Sequence, residues 1–165
     1  MMNDKRKELI VKKIENGTVI DHIPKGKGIV VMRILRVDCN TECYLLQNVE
    51  SKKLGRKDIV KIVGRYPSKE EVDDIAIVAP TATINYVKNW GIFDKYRVKL
   101  PEKIEGLIKC PNNLCITNHE RGMKTVFKVY QFKNELLKNL YGDVLLQCSY
   151  CDTLVKHENI EELLI

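Results

Sequence analysis

Four cysteines carry most of the chemistry this sequence can offer. Cys110 and Cys115 bracket Pro-Asn-Asn-Leu, and Cys148 and Cys151 bracket Ser-Tyr, with residues 116–147 between the pairs. Thiolate is a soft ligand, and two short Cys loops brought together present four sulfurs in the tetrahedral arrangement that Zn²⁺ accepts. With every position filled by protein, such a metal builds structure and leaves no place for a reactive water. Two disulfides, four unrelated buried thiols, or an iron–sulfur cluster on the same four residues are the other readings. The start of the chain has no charged n-region, apolar h-region or small-residue cleavage site, so nothing directs it to an oxidising compartment. A cytoplasmic protein with one structural zinc ion is the expectation. The interval between the pairs is longer than the usual spacing of about 15–20 residues.

These loops need a scaffold, and 165 residues allow one ordinary domain or two small ones. A zinc module of about 60 residues is too small to rely on its own core, which suits a metal staple. The charge is uneven. Residues 1–100 hold 20 Lys+Arg against 13 Asp+Glu, whereas residues 101–165 hold 8 against 9. The half with the cysteines therefore lacks the basic footprint of a zinc-ribbon nucleic-acid-binding protein, which is the alternative reading of the motif. The cationic surplus of the other half suits phosphates on a ligand, or serves as ordinary solubilising charge. No run approaches the roughly 18 apolar residues of a membrane span. Cys39 and Cys43 stand apart from the quartet and are expected as free, partly buried thiols.

Along the chain, Leu9-Ile10-Val11 begins a β-branched run, and Thr18 to Ile23 resumes in extended form until Pro24. Val30, Ile34 and Val37 follow 3–4 spacing and predict a helix over 29–37. Residues 43–49 and 58–63 read as two strands. Ser68 followed by Glu71 is a capping-box pattern opening a helix that ends before Pro80. Residues 81–87 alternate as a strand. The order β-α-β-β-α-β is that of a ferredoxin-like sandwich, an antiparallel sheet with two helices on one face. Pro101 marks a boundary. Residues 126–130 and 144–147 predict further strands of a small all-β metal domain, and 158–165 a short terminal helix. The class is α+β, divided as 1–100 and 101–165.

Four segments in register resemble the regulatory chain of aspartate carbamoyltransferase: Gly17 to Pro24, Gly55 to Asp58, Ala79 to Asn85 (through Pro80, Ala82 and Thr83), and Cys110-Pro111-Asn112. The resemblance covers nearly the whole chain. It implies a non-catalytic subunit whose N-terminal domain binds nucleoside triphosphates and whose zinc domain docks on the catalytic chain, with regulatory dimers tying catalytic trimers together. In the family's best-known members CTP lowers activity and ATP raises it.

Carried over residue by residue, the resemblance implies a nucleotide site. Asp21 would accept from ribose hydroxyls and His22 donate to phosphate, although an Asp-His dipeptide alone is more often a surface pair. Lys61 would meet ribose or base oxygens, and Lys95 phosphate. Ile14, Val19, Ile59, Val87 and Ile92 would form the slot for the base, with Asn85 beside them. The backbones of Val11, Lys12, Ile14 and Trp90 would read its edge. The chain departs from the family pattern at Trp90, where better-known members have Tyr, and at Leu114, where they have a second Asn. The stretch 134–143, with Leu136, Leu137 and Leu140, is extra length. No Ser-His-Asp order, phosphate-cradling glycine loop or open metal site supports an enzyme in its own right.

Overall fold

The computed structural model describes residues 12–165. The expected strand at Leu9–Val11 and the base-reading role of Val11 lie outside the described residues. The first half folds as β1 (Gly17–Pro24), α1 (Gly28–Ile34), β2 (Cys43–Ser51), β3 (Gly55–Val63), α2 (Lys69–Val78), β4 (Thr83–Lys88) and β5 (Gly91–Arg97). The strands order β2-β3-β1-β4-β5, every pairing antiparallel. Strands β1 to β4 with α1 and α2 thus reproduce the expected ferredoxin-like sandwich, and β5 extends it by one edge strand. Period-2 alternation puts Ile20, Val60, Ile62 and Ile84 on one face, where all four are fully buried with Val31, Ile75 and Ala76 of the helices.

Each helix end has a local cause. Ser68 Oγ accepts from Glu71 N at 3.2 Å and Glu71 Oε2 accepts from Ser68 N at 2.9 Å, the reciprocal cap expected for α2. Arg65 then bonds both Glu71 and the Leu35 carbonyl, joining the start of α2 to the end of α1. Helix α1 stops three residues short of the expected Val37. Leu35 closes it, and Arg36 turns into the left-handed region at φ 49. Strand β4 begins at Thr83 and not at residue 81, because Ala82 N bonds back to Ala79 O and holds Pro80-Thr81 in a turn.

A buried carboxylate ties three connections together. Asp58 on β3 is fully buried and accepts from the backbone N–H groups of Gly26, Gly28 and Asn48 at 2.8–2.9 Å. These are the turn before α1 and the irregular part of β2. A Cβ on Gly28 would stand 2.6 Å from Leu45 Cδ1 and 3.1 Å from Asp58 Oδ2, so only glycine lets the helix start so close to the sheet.

The second half forms a sheet ordered β6-β7-β8-β9, from β6 (Lys103–Glu105), β7 (Val126–Gln131), β8 (Val144–Cys148) and β9 (Leu154–Lys156). Between β7 and β8 the extra length folds as α3 (Glu135–Tyr141), capped by Asn134 Oδ1 on Leu136 N. The expected terminal helix is replaced by two 3₁₀ turns, His157–Asn159 and Glu161–Leu163. Their backbone is spent sideways: Leu163 O accepts from Lys109 N, and Ile165 N donates to Leu107 O. The buried cluster runs on from the helices through Val98, Ile104 and Leu107 to Phe127, Leu146 and Ile160. Cys43 is half-buried as expected, but Cys39 is exposed in the loop before β2. Among the described residues no helix is long and apolar enough to cross a membrane.

One half-buried group gives the fold a pH dependence. On α2, burial first, and then the neighbouring Asp73, Glu71 and Glu70, push the Asp74 carboxyl up to about 6. A raised carboxyl pKa favours the fold while the group is protonated, and that contribution is lost as pH rises through about 6. Asp74→Asn is expected to raise the melting temperature near pH 8 and to leave it unchanged near about pH 4, checked by thermal unfolding at both.

Candidate metal centre and ligand face

The first Cys loop is braced by its own hydrogen bonds. Asn112 Oδ1 accepts from Leu114 N at 3.0 Å, and Asn112 O from Cys115 N at 2.9 Å. Asn118 Nδ2 reaches the carbonyls of both Cys110 and Asn112, and His119 Nε2 lies 2.7 Å from Asn113 O. Strand β8 delivers Cys148, and a turn through Asp152, at φ 58, brings Cys151 back beside it.

All four sulfurs lie within 4.8 Å of one another. Cys110 and Cys151 Sγ are 3.6 Å apart, and Cys115 and Cys148 Sγ 3.8 Å. A disulfide needs about 2.05 Å, so these are four free thiols. A Zn–S bond of about 2.3 Å gives a sulfur tetrahedron with edges of about 3.8 Å, which these separations match. Burial pushes the Cys110 and Cys148 thiols up. The Thr153 hydroxyl pulls Cys151 down, to about 6. Thr117 Oγ1 lies 3.2 Å from Cys115 Sγ, so two hydroxyls support the outer sides of the cluster. Three buried cysteines and a half-buried fourth, with hydroxyl support, fit one zinc ion, which would offset the cost of ionising the two thiols that burial keeps protonated.

The other candidate residues gather on the face of the first sheet that the helices leave open. Register places Lys61 on β3 opposite Val19 on β1, Val19 opposite Asn85 on β4, and Asn85 opposite Lys95 on β5. The next row holds Asp21, Thr83 and Arg97. The row on the other side holds Gly17, Val87 and Ile92. Ile59 lies on β3 two positions from Lys61, half-buried on the same face. At one end Lys12 lends its carbonyl to Lys61 Nζ at 3.1 Å, and Ile14 is buried. Trp90 is exposed in the β4–β5 turn, where its backbone N bonds Glu15 O at 2.9 Å. Asn89 and Trp90 both have positive φ, 49 and 67. Tryptophan in that conformation is strained where glycine would sit freely, a cost that its side chain must offset.

The electrostatics of this face are unbalanced. Asp21 Oδ1 pairs with Lys57 Nζ at 2.6 Å, a partner the sequence reading missed although it lies two positions before Ile59. Arg97 and Thr83 were missed as well, and both follow by alternation from Lys95 and Asn85. Lys95 and Arg97 have no ion-pair partner among the described residues. Burial holds the Lys61 ammonium below its ordinary range. His22, at φ 58, keeps Nδ1 buried without a hydrogen bond among the described residues, 3.7 Å from Asp21 Oδ2. It borders a hollow of 230 Å³ lined also by Lys53, Thr81, Thr83 and Arg97.

Known proteins resemble the chain across both halves. Residues 9–99 match the family model described as aspartate carbamoyltransferase regulatory chain, allosteric domain, and residues 102–161 that described as its metal binding domain. The aspartate carbamoyltransferase regulatory chain of Pyrococcus abyssi is 46% identical over 156 residues, covering 93% of this chain and 96% of the relative. That of Methanopyrus kandleri is 46% identical over 159 residues, covering 94% and 96%. That of Saccharolobus solfataricus is 42% identical over 161 residues, covering 96% and 95%.

The purified chain is expected to carry one tightly held zinc ion, released with proton uptake on acidification because thiols compete with metal for the proton. Structural zinc contributes on the order of 10–16 kcal/mol in small domains, so Cys148→Ser is expected to unfold the second half. Metal analysis, with hydrogen exchange resolved along the chain, checks both outcomes.

Proposed function

The chain belongs to the aspartate carbamoyltransferase regulatory chain family, and from that premise we propose that the open face of its first sheet binds a nucleoside triphosphate, CTP or ATP, as an allosteric effector. As a regulatory chain it is a non-catalytic subunit whose partner is the catalytic chain. The observation that supports the nucleotide reading best is the row Lys61–Val19–Asn85–Lys95 with Asp21 beside it. That row alternates cation, apolar surface, amide and cation across four adjacent strands. A base packs on Val19, Val87, Ile59, Ile14 and Ile92, and its edge is read by the Asn85 amide and by backbone groups at Lys12, Ile14 and Trp90. Asp21 accepts from ribose hydroxyls while Lys57 pairs with its other side. The triphosphate lies toward Lys95, with His22 Nδ1 gaining the partner it lacks.

Cys110, Cys115, Cys148 and Cys151 hold the zinc ion, which shapes the loop that meets the catalytic chain. Leu114 is the most exposed large apolar residue among the described residues at 88%, and Ile116, Tyr150 and Leu154 stand exposed in the same domain. The Asn112 and Asn118 side chains are engaged within the loop, so Leu114 stands out beside the exposed Asn113 in what the loop presents to a partner. Leu114 replaces a polar contact of the family pattern with a hydrophobic one. Two regulatory chains pair with each other, which would cover one of the sheet edges, β2 or β5, that are unpaired among the described residues. The nucleic-acid-binding reading is not favoured: residues 101–165, where a ribbon would bind, carry 8 basic against 9 acidic residues.

Hydrogen bonds to charged groups are worth about 1.5–3 kcal/mol. Lys95→Ala is therefore expected to weaken CTP and ATP together by roughly ten- to a hundredfold, and to flatten the salt dependence of binding. Asp21→Ala is expected to weaken the bare nucleosides as well. Calorimetry reads both; unchanged affinity in the two variants would overturn the site. Leu114→Asp is expected to loosen association with the catalytic chain while leaving zinc content and nucleotide affinity intact, measured by sedimentation of the mixed subunits.

A further inference from the structure

The helix layer behind the ligand face is held from the other domain by two polar contacts. His157, just after β9, sets Nε2 2.9 Å from the carbonyl oxygen of Ile77. Ile77 lies in the last turn of α2, where carbonyls lack partners along the helix and where α2 has no basic residue of its own. A carbonyl only accepts, so Nε2 carries the proton and the imidazole N–H donates. Four residues on, Glu161 pairs with the ammonium of Lys27, the residue at the start of α1. Helix α1 follows β1 and α2 follows β3, and these strands run antiparallel. The start of one helix and the end of the other therefore reach the same edge of the layer, where a five-residue segment of the metal domain meets both.

That segment is anchored at its far side beside the metal. Lys109, next to Cys110, donates its N–H to Leu163 O at 2.7 Å, Ile108 bridges to Leu164, and Ile160 is fully buried. A short path thus runs from the first Cys loop through the terminal turns to the ends of both helices. The helices pack on the inner side of the strands whose outer side carries Val19, Lys61 and Asn85. Polar contacts weaken steeply with small changes of distance and angle, whereas apolar surfaces tolerate sliding. The two contacts are therefore the parts of this junction most sensitive to a shift of the helix layer.

We propose that His157 and Glu161 are positioning residues that couple occupation of the open sheet face to the placement of the metal domain, through the Ile77 carbonyl and Lys27. The inference rests on the nucleotide reading above. Neither residue touches ligand or metal. Around His157 the facing charged groups are Lys27 and Asp143, and burial disfavours its charged form. The contact is then a neutral N–H donor, which glutamine also supplies.

The test uses the assembled enzyme, catalytic and regulatory chains together, with aspartate saturation measured without nucleotide, with CTP and with ATP. Allosteric coupling is typically about 5- to 150-fold. His157→Ala is expected to keep zinc content and nucleotide affinity, and to lose most of the nucleotide-dependent shift in half-saturating aspartate. His157→Gln is expected to restore the shift. Glu161→Lys is expected to reduce it, and Lys27→Glu in the same chain to recover it. A full nucleotide shift in His157→Ala overturns the coupling, as does loss of affinity in parallel with loss of shift, or failure of both rescues. A wild-type assembly that ignores both nucleotides overturns the effector reading itself, an outcome distinct from the first.

Discussion

Two helices cover one face of a five-stranded antiparallel sheet and leave the other bare, and the organisation of the whole chain follows from that asymmetry. The covered face holds Ile20, Val60, Ile62 and Ile84 at zero exposure and supplies the core of the first half. The open face carries half-buried and charged residues that no element of the described chain packs over. A sheet face with Val19, Val87 and an imidazole nitrogen unpaired among the described residues, flanked by Lys95 and Arg97 with no ion-pair partner there, is the basis of the proposed ligand site. The helices, meanwhile, turn their ends to the metal domain. The proposed ligand face and the second domain thus lie on opposite sides of one layer pair.

Precision on the open face depends on groups that never meet the ligand. Asp58, dehydrated and bonded to three backbone N–H groups, fixes the turn before α1 and the irregular part of β2 against β3. Its neighbour Lys57 reaches across to Asp21. The segment Gly55 to Asp58 is thereby explained by mechanics: one residue clamps the backbone and its neighbour pairs with the candidate ribose acceptor. At the opposite end, Gly17 sits at φ 134 where a Cβ would meet Ile62 O at 2.0 Å, so β1 can approach β3 only with glycine there.

The metal plays the corresponding part in the second half. Four strands of three to six residues enclose little apolar surface. Burial keeps the Cys110 and Cys148 thiols from ionising without a cation, so metal binding is coupled to folding. Because the same loops present Leu114 and its apolar neighbours, loss of zinc would remove that exposed apolar surface along with the domain.

How much of this the sequence held depends on the range of the interaction involved. The Cys quartet, the Ser68–Glu71 cap and the alternation of β1, β3 and β4 are local patterns, and each was legible and led to the right class of fold. The segments shared with the family, from Gly17 to Cys110, carried the identity of the regulatory chain. Other features were set only by tertiary contacts. Strand β5 reads as a charged, exposed segment and becomes a strand because β4 offers its free edge. Residues 158–165 have the composition of a helix, but Leu107 and Lys109 take their backbone bonds and wind them into 3₁₀ turns. Lys57, Arg97 and Thr83 join the candidate site through register, and His157 meets Ile77 across 80 residues of chain. Sequence determined what depends on neighbours within a few positions; the pairing of distant backbones decided the rest, because a hydrogen bond depends on where the other chain lies in space and leaves no periodic trace in either segment.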